Sequence, residues 1–282
     1  MNVINTLDDL ADRYDIILSD VWGVVHNGER AFPAAAAALT RAREAGKRVI
    51  LITNSPRPRD GVIAQLGALG VPAEAYDAVV TSGDVTRILI EEAPRKVFHI
   101  GGERDLPLYD GTHAELVEEQ EAQVIVCTGL FNDEAETPAG YGEQLTRLRA
   151  RGLPMICANP DIMVERGARH IYCAGAIARE YQQMGGRVSL AGKPHKPIYD
   201  LAMREAADLL GHDVDPAKVL AIGDGLLTDV KGAVQCGFDV LYISAGIHAR
   251  EYGEHGKPDL EALQAWLKKN NVAPVATMPM LA

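Results

Sequence analysis

Short β-branched runs alternate with longer amphipathic stretches along most of the chain. The runs IILSD (16–20), RVILIT (48–53), AVVTS (78–82), KVFHI (96–100), QVIVCT (123–128), PMICA (154–158), VLAIGD (219–224) and VLYIS (240–244) predict strands. Between them, AAAALTRAREAG (35–46), GYGEQLTRLRARG (140–152) and KPIYDLAMREAADLLG (196–211) space apolar residues as helices do, and Gly46 is placed to stop the first. Alternation of this kind implies right-handed crossovers and parallel sheets, an α/β class. Two glycine-bearing segments, TSGDV (81–85) and GGRVSLAGKPHKP (185–197), interrupt the pattern. Both runs that end in acids lie outside the block between them. We therefore expect an inserted α/β domain at 84–188, with the core assembled from 1–83 and 189–282. The last stretch, NNVAPVATMPMLA (270–282), reads either as a loose tail or as a docking strand.

A chain of 282 residues supports one large domain or two smaller ones. Its net charge of −11 argues against a nucleic-acid partner, because phosphate backbones reward clustered Lys and Arg. The first residues lack the basic and apolar regions of a signal peptide. No apolar run approaches the roughly 20 residues needed to cross a bilayer, so no membrane role is expected. Cys127, Cys157, Cys173 and Cys236 are scattered, with three in apolar strand-like settings. Buried free thiols, and with them a cytoplasmic location, are the expectation.

The candidate chemistry gathers where strands end, the edge at which open α/β sheets place their sites. Asp20 closes the first strand ahead of a glycine-containing turn, as a metal ligand, a nucleophile, both, or a turn cap. After the second strand, Thr53, Asn54 and Ser55 offer two hydroxyls and an amide suited to phosphate oxygens, although Asn, Ser and Pro are also ordinary turn residues. Lys193, between Gly192 and Pro194, could neutralise phosphate charge or be simply solvated. GDGLLTD (223–229) carries the stronger signal. Its two acids, Asp224 and Asp229, flank a glycine turn with hard oxygens that suit Mg²⁺.

In this order, Asp20, Thr53, Lys193 and the Asp224/Asp229 pair resemble the four motifs of the haloacid-dehalogenase superfamily. AGKPHKPIYDLA followed by GDGLLTDVKGA is similar to its subgroup with a large inserted α/β cap, phosphatases of nucleotides, 4-nitrophenyl phosphate, phosphoglycolate and pyridoxal phosphate. The resemblance implies a Rossmann-like core with that cap. It implies that Asp20 forms an aspartyl-phosphate and that Thr53, Asn54 and Ser55 hold the transferring group while Lys193 screens its charge. It also implies Mg²⁺ on Asp20, Asp224, Asp229 and the backbone carbonyl of Trp22. The cap, around Asn159 and Asp161, would choose a small phosphorylated metabolite, and a homodimer is possible by the same analogy.

Trp22 departs from the pattern, since phosphatases of the superfamily carry an Asp there to protonate the leaving group and then activate water. Its loss removes general acid–base help of about 10²–10⁴-fold. Three readings follow: a phosphatase acting on good leaving groups or borrowing an acid such as His26, a slow or non-catalytic phospho-ligand binder, and a dehalogenase-type hydrolase. The last is disfavoured by the intact acid pair. Trp22 could equally be a packing residue, and His26 an exposed loop residue.

Overall fold

The computed structural model describes residues 2–166, 169–254 and 257–282. In chain order its strands are β1 (Ile16–Asp20), β2 (Arg48–Thr53), β3 (Ala78–Thr81), β4 (Lys96–Ile100), β5 (Glu115–Leu116), β6 (Val124–Cys127), β7 (Met155–Cys157), β8 (Met163–Arg166) and β9 (Arg169–Tyr172). These are followed by β10 (Val188–Leu190), β11 (Val219–Gly223), β12 (Asp239–Ile243), β13 (Gly253–Glu254), β14 (Lys257–Pro258) and β15 (Ala276–Met278). The chain divides into two compact units, one of residues 1–53, 63–80 and 199–282, the other of 54–62 and 81–198.

The first unit is built on a six-stranded sheet in the order β15-β12-β11-β1-β2-β3. Its pairings β1–β2, β1–β11, β11–β12 and β12–β15 are all parallel. Every residue of β1 and β11 is buried, which is why these strands read as near-continuous apolar runs rather than alternating ones. The helix Pro33–Glu44 ends as its sequence suggests. Gly46, at φ +87°, lets its own N–H reach Arg43 O and lets Lys47 N–H reach Ala42 O, closing the last turn. The C-terminal stretch resolves to the docking alternative, with β15 buried on the sheet edge against β12.

The second unit carries a five-stranded sheet in the order β10-β7-β6-β4-β5, with parallel pairings throughout. Period-two alternation sorts β6 between two cores. Ile125 and Cys127 face Leu145, Leu148, Ile177 and Tyr181, while Val124 and Val126 face Ile90, Val97 and Leu108. The helix Ser82–Glu91 starts on a reciprocal cap in which Asp84 N–H donates to Thr81 Oγ1 and Thr81 N–H to Asp84 Oδ2. β10 spans residue 188, so the second sheet extends past the boundary expected there. Cys127, Cys157 and Cys173 are buried free thiols, and Cys236 is half-buried. Among the described residues, no helix is long and apolar enough to cross a membrane.

Candidate active site

In the first unit, parallel pairing aligns the carboxyl ends of β1 and β11. Ser19 sits opposite Ile222, so Asp20 and Asp224 leave adjacent strands at the same edge. Asp229 follows on a wide helical turn, Leu226–Val230, in which Val230 N–H reaches back five residues to Gly225 O. Widened turns of this type bring in a side chain that a regular helix would carry past the site. Asp20, Asp224 and Asp229 are all buried, and each offers an oxygen within 4.8 Å of the others.

Backbone donors orient all three carboxylates. Asp20 Oδ1 accepts from Val21 N–H at 2.7 Å, Asp224 Oδ2 from Ile247 N–H at 2.8 Å, and Asp229 Oδ2 from Gly225 N–H at 3.0 Å. Glycines make these approaches possible. A Cβ on Gly23, which has φ +84°, would lie 2.5 Å from Asp224 Oδ2. One on Gly246 would lie 2.0 Å from the same oxygen and 2.2 Å from Asp224 Cβ. The sequence reading missed Gly246 and Ile247, which arrive from the loop after β12. A glycine two residues past the end of a predicted strand was the available signal.

The donor set fits a small hard cation. Oxygens sharing one ion at bond lengths of about 2.1–2.5 Å lie no more than about 5 Å apart, and carboxylates are the preferred ligands of Mg²⁺ and Ca²⁺. Three buried like charges this close also oppose one another unless a cation or protons intervene.

Trp22 lies in a tight loop held by Gly23 N–H to His26 O at 2.8 Å and His26 N–H to Val21 O at 3.1 Å. Its ring meets His26 edge-on at 5.1 Å. A Cβ added to Gly28 would lie 2.5 Å from Trp22 Cζ2 and Cη2. The indole is thus a packing element of its loop. His26 is not the exposed loop residue of the bland expectation: it is 2% exposed, and its Nδ1 accepts from Gly28 N–H at 3.0 Å. Burial lowers its pKa to about 4, so at neutral pH it holds no imidazolium proton to give.

The other expected residues fall at the end of β2 and on the second unit. Thr53 is the buried last residue of β2. In the second unit, Asn54 Oδ1 accepts Lys193 N–H at 2.7 Å, while Asn54 Nδ2 donates to Lys193 O at 3.2 Å and to Asp161 Oδ1 at 2.8 Å. The amide expected to meet phosphate is therefore committed to protein partners. Asn159 Oδ1 accepts Asp161 N–H at 3.0 Å, which shapes the turn carrying that carboxylate. Ser55 O accepts Gly83 N–H at 3.1 Å, and Lys193 is buried. Asn54, Asn159, Asp161 and Lys193 thus form one network, and Asp20, Asp224 and Asp229 another.

Comparison with known proteins gives the class of this arrangement. Residues 17–115 match a family model described as haloacid dehalogenase-like hydrolase, and residues 190–273 match one described as HAD-hydrolase-like. A crystal structure of a haloacid dehalogenase-like family hydrolase from Brucella suis is 58% identical and covers 99% of this chain and 100% of its own, with a TM-score of 0.90. The chain belongs to the haloacid dehalogenase-like hydrolase family. Rat chronophin is 27% identical over 280 residues, 90% of this chain and 85% of its own. A glycerol phosphate phosphatase from Mycobacterium tuberculosis, solved with calcium, is 25% identical and covers 84% of this chain and 68% of its own, with a TM-score of 0.63.

Proposed function

We propose that the protein is a divalent-metal-dependent phosphatase of small phosphorylated metabolites, with Asp20 as nucleophile and Mg²⁺ as the resident ion. The observation that carries this reading is the buried Asp20–Asp224–Asp229 cluster, whose oxygens lie within 4.8 Å of one another at the carboxyl edge of a parallel sheet. Relatives whose names record a glycerol phosphate phosphatase, one of them holding calcium, support it.

The ion would be held by Asp20, Asp224, Asp229 and the Trp22 carbonyl, and it supplies charge neutralisation for a phosphoryl group when bound. Asp20 attacks phosphorus in line, the ester oxygen leaves, and water then cleaves the aspartyl-phosphate. The Val21 N–H on Asp20 Oδ1 holds the carboxylate in one orientation for that attack. Thr53, the peptide at Asn54 and Ser55 take phosphoryl oxygens in this reading, and Lys193 offsets their charge. Residues 84–188, which include Asn159 and Asp161, serve as the cap. Scattered free cysteines support a cytoplasmic location, and a homodimer is the expected assembly by analogy. The net charge of −11 supports a metabolite rather than a nucleic acid as partner.

Steady-state hydrolysis of 4-nitrophenyl phosphate tests this, with Mg²⁺ or chelator, beside Asp20→Asn. Nitrophenolate leaves without a proton, so the assay is insensitive to the missing acid. Metal-dependent turnover abolished in a folded Asp20→Asn variant is the expected result, and turnover equal in both proteins sinks the nucleophile assignment. A second reading, a slow or non-catalytic phospho-ligand binder, is favoured by Trp22 and by the neutral His26, neither of which supplies a proton. Phosphate and Mg²⁺ that raise the melting temperature of a protein inert toward every ester would select it.

A further inference from the structure

We propose that Asn54 and Asp161 are positioning residues that fix the backbone of Lys193, rather than contacts to the substrate. The inference rests on the phosphatase reading for the role of the Lys193 ammonium, but its geometry stands independently.

One carboxamide grips both polar groups of the Lys193 residue. The Lys193 N–H donates to Asn54 Oδ1 at 2.7 Å, and the Lys193 carbonyl accepts from Asn54 Nδ2 at 3.2 Å. The second N–H of the same amide goes to Asp161 Oδ1 at 2.8 Å. A primary amide has two N–H donors, and both are used. An ionised acceptor strengthens the bond it receives and polarises the amide toward Lys193, so Asp161 acts through Asn54.

Burial and packing restrict the alternatives. Asn54 and Lys193 are almost fully enclosed, at 4% and 3% exposure. A Cβ at Gly192 would fall 2.3 Å from Asn54 Oδ1, 2.8 Å from Pro160 Cδ and 2.9 Å from Ser82 Oγ. Only glycine lets the 192–193 segment dock this closely. The Asp161 turn is set in turn by Asn159, so Asn159, Asp161, Asn54 and Lys193 form a chain of bonds across sequence separations of more than a hundred residues. The motif NPD (159–161) thereby gains a use that substrate selection does not require.

A double-mutant cycle between Asp161→Ala and Lys193→Met tests the coupling. For Asp161→Ala alone, kcat on 4-nitrophenyl phosphate should fall about ten- to hundredfold with KM changed less than about threefold, the scale of one lost charge-assisted bond. The same fold-loss should appear with acetyl phosphate, because the phosphoryl group and not the leaving group is affected. In the Lys193→Met background the substitution should cost less than about twofold. Asp161→Asn, which keeps an acceptor oxygen without its charge, should restore part of the activity. A loss confined to KM, a loss that depends on the leaving group, or additive losses would each overturn the proposal. If Asp161→Ala does not fold, Asp161→Ser replaces it. Should the wild type turn over no ester, the phosphatase reading fails, and the cycle is then read from stabilisation by inorganic phosphate. Non-additive loss of that melting shift keeps the coupling, and independent losses reject it.

Discussion

Gly246 lies outside every motif of the sequence, yet its replacement by alanine should be among the most damaging single-methyl changes in the first unit. The added Cβ would sit 2.0 Å from Asp224 Oδ2, 2.2 Å from Asp224 Cβ and 2.4 Å from its Cγ. Ordinary contact begins near about 3.5 Å, so these atoms must separate by roughly 1.5 Å. Rotation of the carboxylate cannot relieve a clash that includes Cβ, and the backbone or the whole side chain has to move. Overpacking of this kind costs about 1–3 kcal/mol. Displacement also breaks the Ile247 N–H bond to Asp224, 2.8 Å long, worth about 1.5–3 kcal/mol to a charged acceptor. The sum, roughly 2.5–6 kcal/mol, corresponds to a melting temperature lower by about 10 °C. Misplacing a ligand by about 1 Å should cost at least about 10²-fold in kcat. Thermal unfolding with and without Mg²⁺, together with 4-nitrophenyl phosphate turnover, measures both effects. Gly67→Ala is the control, because nothing lies within 4 Å of its added Cβ on the helix Arg59–Ala68. A Gly246→Ala protein with unchanged kcat and an unchanged Mg²⁺-induced melting shift would refute the argument that this loop positions Asp224.

Three further outcomes are expected. Burial lowers the pKa values of His26 and His99 to about 4. Both are neutral in the folded protein, so their contribution is complete above the unfolded value of about 6.5 and is lost as pH falls toward 4, on the order of 3 kcal/mol each. His99→Gln should flatten the fall of melting temperature between pH 7 and 4.5, and an unaltered slope would reject this assignment; Asp105, whose carboxyl pKa is raised by burial, works in the opposite sense. Asp229→Asn should weaken Mg²⁺ binding by at least about tenfold in calorimetric titration, since a charged ligand is removed while its Gly225 N–H partner remains. Removal of metal by chelator should lower the melting temperature of the wild type and leave that of Asp229→Asn nearly unchanged.

The strand-and-helix order was legible because period and length separate the two kinds of element, and because parallel strands buried on both faces become apolar runs. The acidic site was legible for a related reason: strand ends point to one edge, so acids at 20 and 224 had to converge once β1 and β11 paired. Short pieces escaped the pattern. β5, β13 and β14 have two residues each, too few for any period to register. β10 hid among glycines, and β15 was ambiguous because proline flanks a run of only three buried residues. The side-chain amide of Asn54 could not be read at all. Its partners lie 107 and 139 residues away, and the turn chemistry of TNSPRP suits a phosphate contact as well as a clamp.

In the proposed phosphatase reaction, Trp22 decides which leaving groups can depart. An aspartate at this position would supply a proton to the departing oxygen, whereas the indole is bedded against Gly28 and His26. His26 does not substitute, because it is buried, accepts a hydrogen bond at Nδ1 and is neutral at pH 7. The leaving oxygen must then depart as an anion or carry its own proton, so the rate should follow leaving-group pKa steeply. For a series of aryl and alkyl phosphates, log kcat/KM, which reports the step that expels the leaving group, should fall with a markedly more negative slope than in Trp22→Asp. That variant should gain up to about 10²–10⁴-fold on alkyl phosphates while gaining little on 4-nitrophenyl phosphate. Its stability should fall by about 2–4 kcal/mol, because a large ring is removed from a packed loop. Measuring folded fraction alongside rate separates the two effects. Equal slopes in the two proteins would place proton delivery elsewhere. A shallow slope in the wild type alone would mean that the indole position was never the point of proton entry.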